Sequence, residues 1–152
     1  MTRPLAPGTP IPDLALTGVD GAPVKLRGLV GAKTLVLYFY PKDLSPGCTK
    51  QACGFRDAYE AFLAAGADVI GVSSGAPAVR AELISKHRIP FTLLHDVDGA
   101  ARTAFGVGKV LGIDKRVTFV IDRSGLVRHV CDSLLRVNQH ITQSMAMVTE
   151  LA

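Results

Sequence analysis

The sequence predicts an α/β fold whose central sheet is at least partly parallel. An unbroken apolar run, Leu35 to Tyr40, is typical of a strand that is buried on both faces. A second buried strand is predicted at Ala67 to Val72, and an amphipathic helix lies between the two. Another helix start, near Pro77, continues the alternation of strand and helix. This alternation indicates a parallel sheet, because each helix carries the chain back to begin the next strand on the same side.

The helix between these strands begins near Cys48 and ends before Gly66, since glycine readily adopts the left-handed conformation that follows a helix. Its inward positions at helical spacing are Cys53, Phe55, Ala58, Tyr59, Phe62 and Leu63. The next helix is expected to have Ser74 or Gly75 near its N-cap and Pro77 in its first turn. Its predicted inner face comprises Val79, Leu83 and Ile84.

The remaining elements follow from shorter patterns. Residues 1–10 contain three prolines and are predicted to be an extended lead, and Gly18 to Gly21 is a hairpin signal. The other predicted strands are 14–16, 24–26, 91–94, 117–121 and 126–130, with a turn at 122–125; the other predicted helices are 100–105, capped by 96–99 and ended by Gly106, and a last helix around 140–151.

Composition excludes several classes of protein. A length of 152 residues predicts one domain, residues 1–152. The net charge is +4, but the cations are scattered, so we expect no nucleic-acid partner. We expect no membrane segment, because no apolar run approaches about 20 residues and the N-terminus lacks a signal-type apolar region. Three cysteines, an odd number, favour a reducing compartment, so we expect a cytoplasmic protein.

Cofactor and metal motifs are missing from the sequence. The segment Gly106 to Gly108 follows a predicted helix and lacks the third glycine of a dinucleotide-binding loop. The four histidines show no ligand spacing with one another. Cys48 and Cys53 could ligate zinc, but the chain lacks a second pair to complete four ligands. We therefore expect neither a cofactor nor a metal ion.

Cys48 is the candidate nucleophile. It follows a loop rich in proline and glycine and lies in the first turn of the predicted helix. The first N–H groups of a helix lack partners within it, and the helix dipole is positive there, so the thiolate form is favoured over the thiol. The alternative is a buried structural cysteine.

Cys53 lies five residues further along the same helix. Five residues of α-helix give about 7.5 Å of rise and roughly 140° of rotation, which puts the two Cα atoms about 8–9 Å apart. A disulfide needs less than about 7 Å. The pair therefore cannot bridge while the helix is intact, and a bridge would require the first turn to unwind. The alternative is that Cys53 is a small apolar filler.

The segment PKDLSPGCTKQACGFRD resembles the active-site segment of the peroxiredoxins, in which a proline, a threonine or serine and a cysteine recur at the spacing of Pro41, Ser45 and Cys48. The position of Cys53, five residues after Cys48, resembles that of the resolving cysteine in the peroxiredoxin Q group, also called bacterioferritin comigratory proteins. The similarity extends over nearly the whole chain, including ADVIGVSS, IPFTLLHDVDG and RVTFVIDRSGLVRHV.

The resemblance implies a thioredoxin-like fold, three-layer α/β/α with a mixed central sheet and an N-terminal β-hairpin. It implies that Cys48 is the peroxidatic cysteine and Cys53 the resolving one. Ser45 stands where the family most often has threonine and would bond the thiolate and peroxide, Pro41 would shield the thiolate, and Arg116 matches the active-site arginine. The alternatives are a turn or capping serine, a strand-ending proline and a solvated arginine at a strand end.

The implied activity is that of a thiol peroxidase acting on hydrogen peroxide and alkyl hydroperoxides. A sulfenic acid on Cys48 and an intrasubunit Cys48–Cys53 disulfide would form, and a thioredoxin-type or glutaredoxin-type dithiol would reduce the disulfide. The resemblance also implies a monomer. Two other functions stay open, a thiol-disulfide oxidoreductase acting on proteins and a non-enzymatic redox sensor. Cys131 is either an incidental thiol or a second resolving cysteine.

Overall fold

The computed structural model describes residues 3–152. Within that range the chain forms nine strands, four α-helices and two short 3₁₀ turns, at Leu26–Leu29 and Val97–Gly99. In chain order the elements are β1 (Ala15–Thr17), β2 (Pro23–Lys25), β3 (Thr34–Phe39), α1 (Pro46–Ala64), β4 (Ala67–Ser73), α2 (Pro77–His87), β5 (Thr92–His95), α3 (Ala100–Phe105), β6 (Lys109–Val110), β7 (Ile113–Asp114), β8 (Val117–Ile121), β9 (Val127–Asp132) and α4 (Val137–Leu151). None of these helices is both long and apolar enough to cross a membrane.

Seven strands form one mixed sheet in the order β2-β1-β5-β4-β3-β8-β9. The central strands β3, β4 and β5 are parallel. The outer pairs, β3 with β8, β8 with β9, β1 with β2 and β1 with β5, are antiparallel. The predicted mixed sheet and N-terminal hairpin are therefore confirmed.

The central strand β3 is buried along its whole length, as its apolar run predicts. Because side chains alternate along a strand, Val36 and Tyr38 enter one core while Leu37 and Phe39 enter the other. The first core packs against α1, α2 and α4, and the second packs against α3 and the N-terminal segments. Helices therefore cover both faces of the sheet, and the predicted three-layer α/β/α arrangement is confirmed.

Several local predictions are wrong. Leu26 begins a 3₁₀ turn instead of ending β2. The N-cap of α2 is Ala76, which makes no side-chain capping bond and directly follows Gly75, one of the two residues predicted to lie near it. Leu63 and Val79, both predicted to face inward, are 37% and 36% exposed because they lie in the last turn of α1 and the first turn of α2, at the rim of the core.

A small hairpin was not predicted between α3 and β8. Strands β6 and β7 pair only with each other and are joined by Leu111 and Gly112. Both joining residues have positive φ, 51° and 77°, which is the backbone of a tight two-residue hairpin turn. Because each strand has two residues, the sequence contains too little alternation to reveal it. The predicted lead, residues 1–10, begins outside the described residues, and from residue 3 to Thr9 it contains no helix or strand.

His140 joins α4 to the sheet. It is fully buried, and its Nδ1 and Nε2 lie 2.7 Å from the Thr118 hydroxyl and the Ser133 carbonyl oxygen, respectively. A carbonyl can only accept, so Nε2 carries the proton and Nδ1 accepts from the Thr118 hydroxyl. Burial lowers the pKa of His140 from 6.5 to about 4, and the Ser133 carbonyl only partly opposes this effect. The imidazole is therefore neutral at neutral pH.

This histidine is expected to make the fold sensitive to mild acid. Below pH 6.5 the unfolded chain binds a proton at His140 that the folded chain rejects until about pH 4, so stability is complete above pH 6.5 and falls between these values. The loss would reach about 3 kcal/mol. We expect chemical unfolding of the wild type to become easier from pH 7 to 4.5, and His140→Asn to show a smaller loss over the same interval. Equal losses in both proteins would contradict this assignment.

Candidate active site

Cys48 lies in the first turn of α1, as predicted. Ser45 is the N-cap, Pro46 occupies the first helical turn, and the Cys48 backbone N–H donates to the Ser45 hydroxyl oxygen at 3.4 Å. The cysteine is 2% exposed and packs within the core between the sheet and the helices α1, α2 and α4. The thiol-bearing residue is therefore held at the positive end of a 19-residue helix and largely shielded from solvent.

Ser45 fastens the helix to the preceding loop. Its hydroxyl donates to the Lys42 carbonyl at 3.1 Å, and its own carbonyl accepts the Thr49 N–H at 2.8 Å. The capping role that the sequence left open is therefore observed. Between Lys42 and Ser45, Leu44 has a φ of 62°, in the left-handed region that few residues other than glycine adopt. The loop backbone is thus held in an unusual conformation immediately before the nucleophile candidate.

Arg116 is buried at the start of β8, so it is not the solvated charge considered as an alternative. It is 4% exposed, its Nε donates to the Leu134 carbonyl at 3.0 Å, and its Nη1 donates to the Gln51 side-chain oxygen at 2.6 Å. Its Nη2 lies only 3.0 Å from the place where a Cβ on Gly47 would stand. Since Gly47 directly precedes Cys48, the structure brings the guanidinium against the turn of α1 that carries the thiol.

Gln51 is a site residue that the sequence reasoning missed. It is fully buried, one helical turn after Cys48, and its amide oxygen must face Arg116 because a guanidinium only donates. The amide nitrogen has no hydrogen-bond partner among residues 3–152. A polar residue three positions after the cysteine, on a helix face that is otherwise apolar, was the available signal.

Asp43 anchors the loop on its other side and was also missed. It is 3% exposed, and its two carboxylate oxygens accept from the Tyr40 and Ser73 hydroxyls, each at 2.6 Å. Burial and the neighbouring Tyr38 and Asp43 raise the pKa of Tyr40 well above its ordinary value, so its hydroxyl remains a donor. The loop is therefore bound to the carboxyl ends of β3 and β4.

Pro41 ends the central strand, as predicted, and is partly exposed. With Ala76 and Val79 among its neighbours it lines a cavity of about 260 Å³. Pro41 thus gives the loop an apolar surface on the side that faces α2.

The cysteines are all free, and α1 is continuous through both Cys48 and Cys53. Cys48 and Cys53 are therefore too far apart along the intact helix to form a disulfide with each other. Cys131 is buried in β9, where burial first and Asp132 second raise its pKa to about 11. Its thiol stays protonated at neutral pH, and a protonated thiol is a poor nucleophile. Among residues 3–152, no group of three or more His, Cys, Asp or Glu side chains could hold a metal ion.

Comparison with known proteins gives consistent matches along the chain. The model of the AhpC/TSA family matches residues 7–130. Peroxiredoxin Q, chloroplastic, of Triticum aestivum is 40% identical over 146 residues, which cover 95% of this chain and 67% of that protein. The protein of the same name from Arabidopsis thaliana is 42% identical, over 91% of this chain and 64% of its own length. The chain thus spans about two-thirds of these plant relatives.

Solved structures show the same fold. The peroxidoxin BcpB of Mycobacterium tuberculosis superposes with a TM-score of 0.90 at 32% identity, over 97% of this chain and 99% of that one. Peroxiredoxin Q of Xanthomonas campestris superposes with a TM-score of 0.81 at 31% identity, over 90% of each chain. Structures of a Xanthomonas campestris bacterioferritin comigratory protein, described for its alkyl peroxide reduction activity, match at 30% identity and a TM-score of 0.81.

The close approach of Arg116 to Gly47 predicts a site-specific effect of a single methyl group. In Gly47→Ala the new Cβ would press on Nη2 of a guanidinium that two hydrogen bonds hold in place. We expect oxidation of Cys48 by one equivalent of hydrogen peroxide, followed by stopped flow, to slow roughly tenfold, because small displacements of a positioned group are costly.

The matched control is Gly54→Ala, on the same helix. There the new Cβ would meet Ile141 of α4 at 3.1 Å and would lie against no charged group. We expect this variant to react at the wild-type rate. Equal rates for Gly47→Ala and the wild type would show that the position of the guanidinium does not matter to the reaction.

Proposed function

The chain belongs to the AhpC/TSA family, within its peroxiredoxin Q group, and is a thiol peroxidase; on this basis we propose that its catalytic cycle uses two thiols of one helix, Cys48 and Cys53. The observation that supports Cys48 as the nucleophile of this cycle is the Arg116 guanidinium, which is buried, held by Gln51 and packed against Gly47 next to Cys48. A fixed cation beside a helix N-terminus favours a thiolate and can stabilise negative charge that develops on a departing oxygen.

In the first step, the Cys48 thiolate attacks the nearer oxygen of a hydroperoxide along the O–O bond. An S–O bond forms, the O–O bond breaks, and the other oxygen leaves with the electron pair and takes up a proton as water or an alcohol. Cys48 becomes a sulfenic acid. Arg116 would donate to the departing oxygen, the Ser45 hydroxyl oxygen would accept from the peroxide O–H, and Pro41 would restrict the approach of water.

In the second step, Cys53 attacks the sulfenic sulfur, an S–S bond forms, and water leaves. Helix geometry forbids this while α1 is intact, so the first turn must unwind. Two features favour local unwinding. The cap on Cys48 is a single bond of 3.4 Å, and the large buried anchors of the helix, Phe55 and Phe62, lie beyond both cysteines. The rest of α1 can therefore stay packed while the turn opens.

The third step restores the thiols. A dithiol protein of the thioredoxin or glutaredoxin type would attack the Cys48–Cys53 disulfide and take up the oxidising equivalents by thiol–disulfide exchange. Cys53 is the more accessible of the two sulfurs, because it is partly exposed whereas Cys48 is buried. Both thiols belong to one helix, so the cycle requires only one chain, and we propose a protein that functions as a cytoplasmic monomer.

Serine variants separate the proposed roles of the cysteines. Cys48→Ser is expected to consume no peroxide, because no other thiol has the same position. Cys53→Ser is expected to consume one equivalent per chain and then stop with a thioredoxin-type reductant, whereas Cys131→Ser is expected to turn over like the wild type. Peroxide consumption is followed colorimetrically with enzyme and reductant in each case.

Two results would count against these roles. Substantial peroxide consumption by Cys48→Ser would mean that another residue is the nucleophile. Continued turnover of Cys53→Ser at the wild-type rate would mean that the reductant resolves the sulfenic acid directly and that Cys53 has no necessary role.

A further inference from the structure

Arg102, on α3, reaches the active-site edge of the sheet from the face opposite to α1. It is 6% exposed, and its Nη2 donates to the Tyr40 carbonyl oxygen at 2.5 Å. Its Nη1 makes a longer contact of 3.4 Å with the Lys115 carbonyl oxygen. These two carbonyls belong to the peptide bonds that lead directly into Pro41 and Arg116. One guanidinium therefore bridges the backbone immediately before two proposed site residues.

We propose that Arg102 is a positioning residue of the peroxidase reaction, which sets the separation of Pro41 from Arg116 by binding both preceding carbonyls. The inference rests on the proposed roles of those two residues. Tyr40 directly follows β3 and Lys115 lies two residues before β8, so the bridge joins the ends of two neighbouring strands just beyond their last antiparallel pair, Phe39 with Val117. Beyond that pair the two strands share no backbone ladder, and the Arg102 side chain connects their backbones instead.

The surroundings of Arg102 hold its side chain in one orientation. Asp96 accepts the backbone N–H groups of Ala101 and Arg102 at 2.7 and 3.0 Å, which fixes the start of α3. The guanidinium carbon lies 5.8 Å from the centre of the Phe39 ring, and Nε is 3.9 Å from a carboxylate oxygen of Asp114. A planar fork with several donors suits two carbonyls at once, whereas a lysine ammonium offers a single point charge.

The guanidinium of Arg102 is largely buried but has carboxylates nearby. Burial lowers the pKa of Arg102, while Asp114, Asp96 and the Cys48 thiolate oppose that shift. Arg102 lies on the wall of a cavity of about 610 Å³, and a neutral substitute there would leave the two carbonyls free to move apart.

Replacing an arginine that only stabilises the fold should not change the rate of Cys48 oxidation, and Arg80 allows this comparison. It is 3% exposed on α2, and its Nη1 donates to the Gly75 carbonyl oxygen at 3.4 Å. That carbonyl precedes neither Pro41 nor Arg116. Arg80→Met should therefore lower the melting temperature with little effect on the rate of Cys48 oxidation. It is the matched control for the loss of a buried guanidinium.

The test is a double-mutant cycle on the rate of Cys48 oxidation, measured by stopped flow with hydrogen peroxide. We expect Arg102→Met and Arg116→Met each to slow this rate, the former by roughly 10- to 100-fold, as for a displaced catalytic group. If Arg102 acts through Arg116, the double variant is no slower than Arg116→Met by more than about twofold. Arg102→Lys keeps the charge but carries its donors on a single nitrogen instead of a planar fork, so it is expected to recover only part of the rate.

A rate for Arg102→Met as high as that of Arg80→Met, or effects of the two substitutions that multiply, would overturn the inference. An unaffected Arg116→Met variant would instead contradict the proposed role of Arg116. If Arg102→Met fails to fold, Arg102→Lys decides: a slower rate at the wild-type melting temperature supports positioning, and the full wild-type rate overturns it.

Discussion

The guanidinium of Arg116 imposes the main constraint on this structure. A permanently charged group that is 4% exposed must have its donors matched by oxygens, because burying it without partners would cost several kcal/mol. Its partners come from two separate segments, Gln51 on α1 and the carbonyl of Leu134 ahead of α4. The N-terminal turn of α1, the start of β8 and the approach to α4 therefore have to meet at one place, and the thiol of Cys48 lies there.

The same site contains both rigid and releasable parts. Asp43 ties the loop before α1 to Tyr40 and Ser73 through two short hydrogen bonds, and Phe55 and Phe62 bury the body of the helix. Between these anchors, the first turn begins at a proline, and the only side-chain cap reported for it is the long bond from the Cys48 N–H to the Ser45 hydroxyl. This arrangement suits a reaction in which the donors around the thiol are held fixed while the turn that carries the thiol can open.

The fold was largely predictable because its signals are local. The apolar run of β3 marks a strand buried on both faces, and Cys48, Ser45 and Pro41 lie at positions that the strand–loop–helix pattern fixes. The roles of Gln51, Asp43 and Arg102 were not predicted, since each depends on at least one contact between residues 30 to 65 positions apart. Leu63 and Val79 show a further limit: helical periodicity gives the inward direction but not where the core ends.

The most direct measurement is a peptide map, by mass spectrometry, of the protein after one equivalent of hydrogen peroxide without reductant. We expect a loss of two hydrogens and a link between Cys48 and Cys53, which can form only after the first turn of α1 unwinds. A sulfenic or sulfinic acid on Cys48 with Cys53 still free would contradict the two-cysteine cycle. A link from Cys48 to Cys131 would show that the resolving cysteine has been assigned to the wrong element.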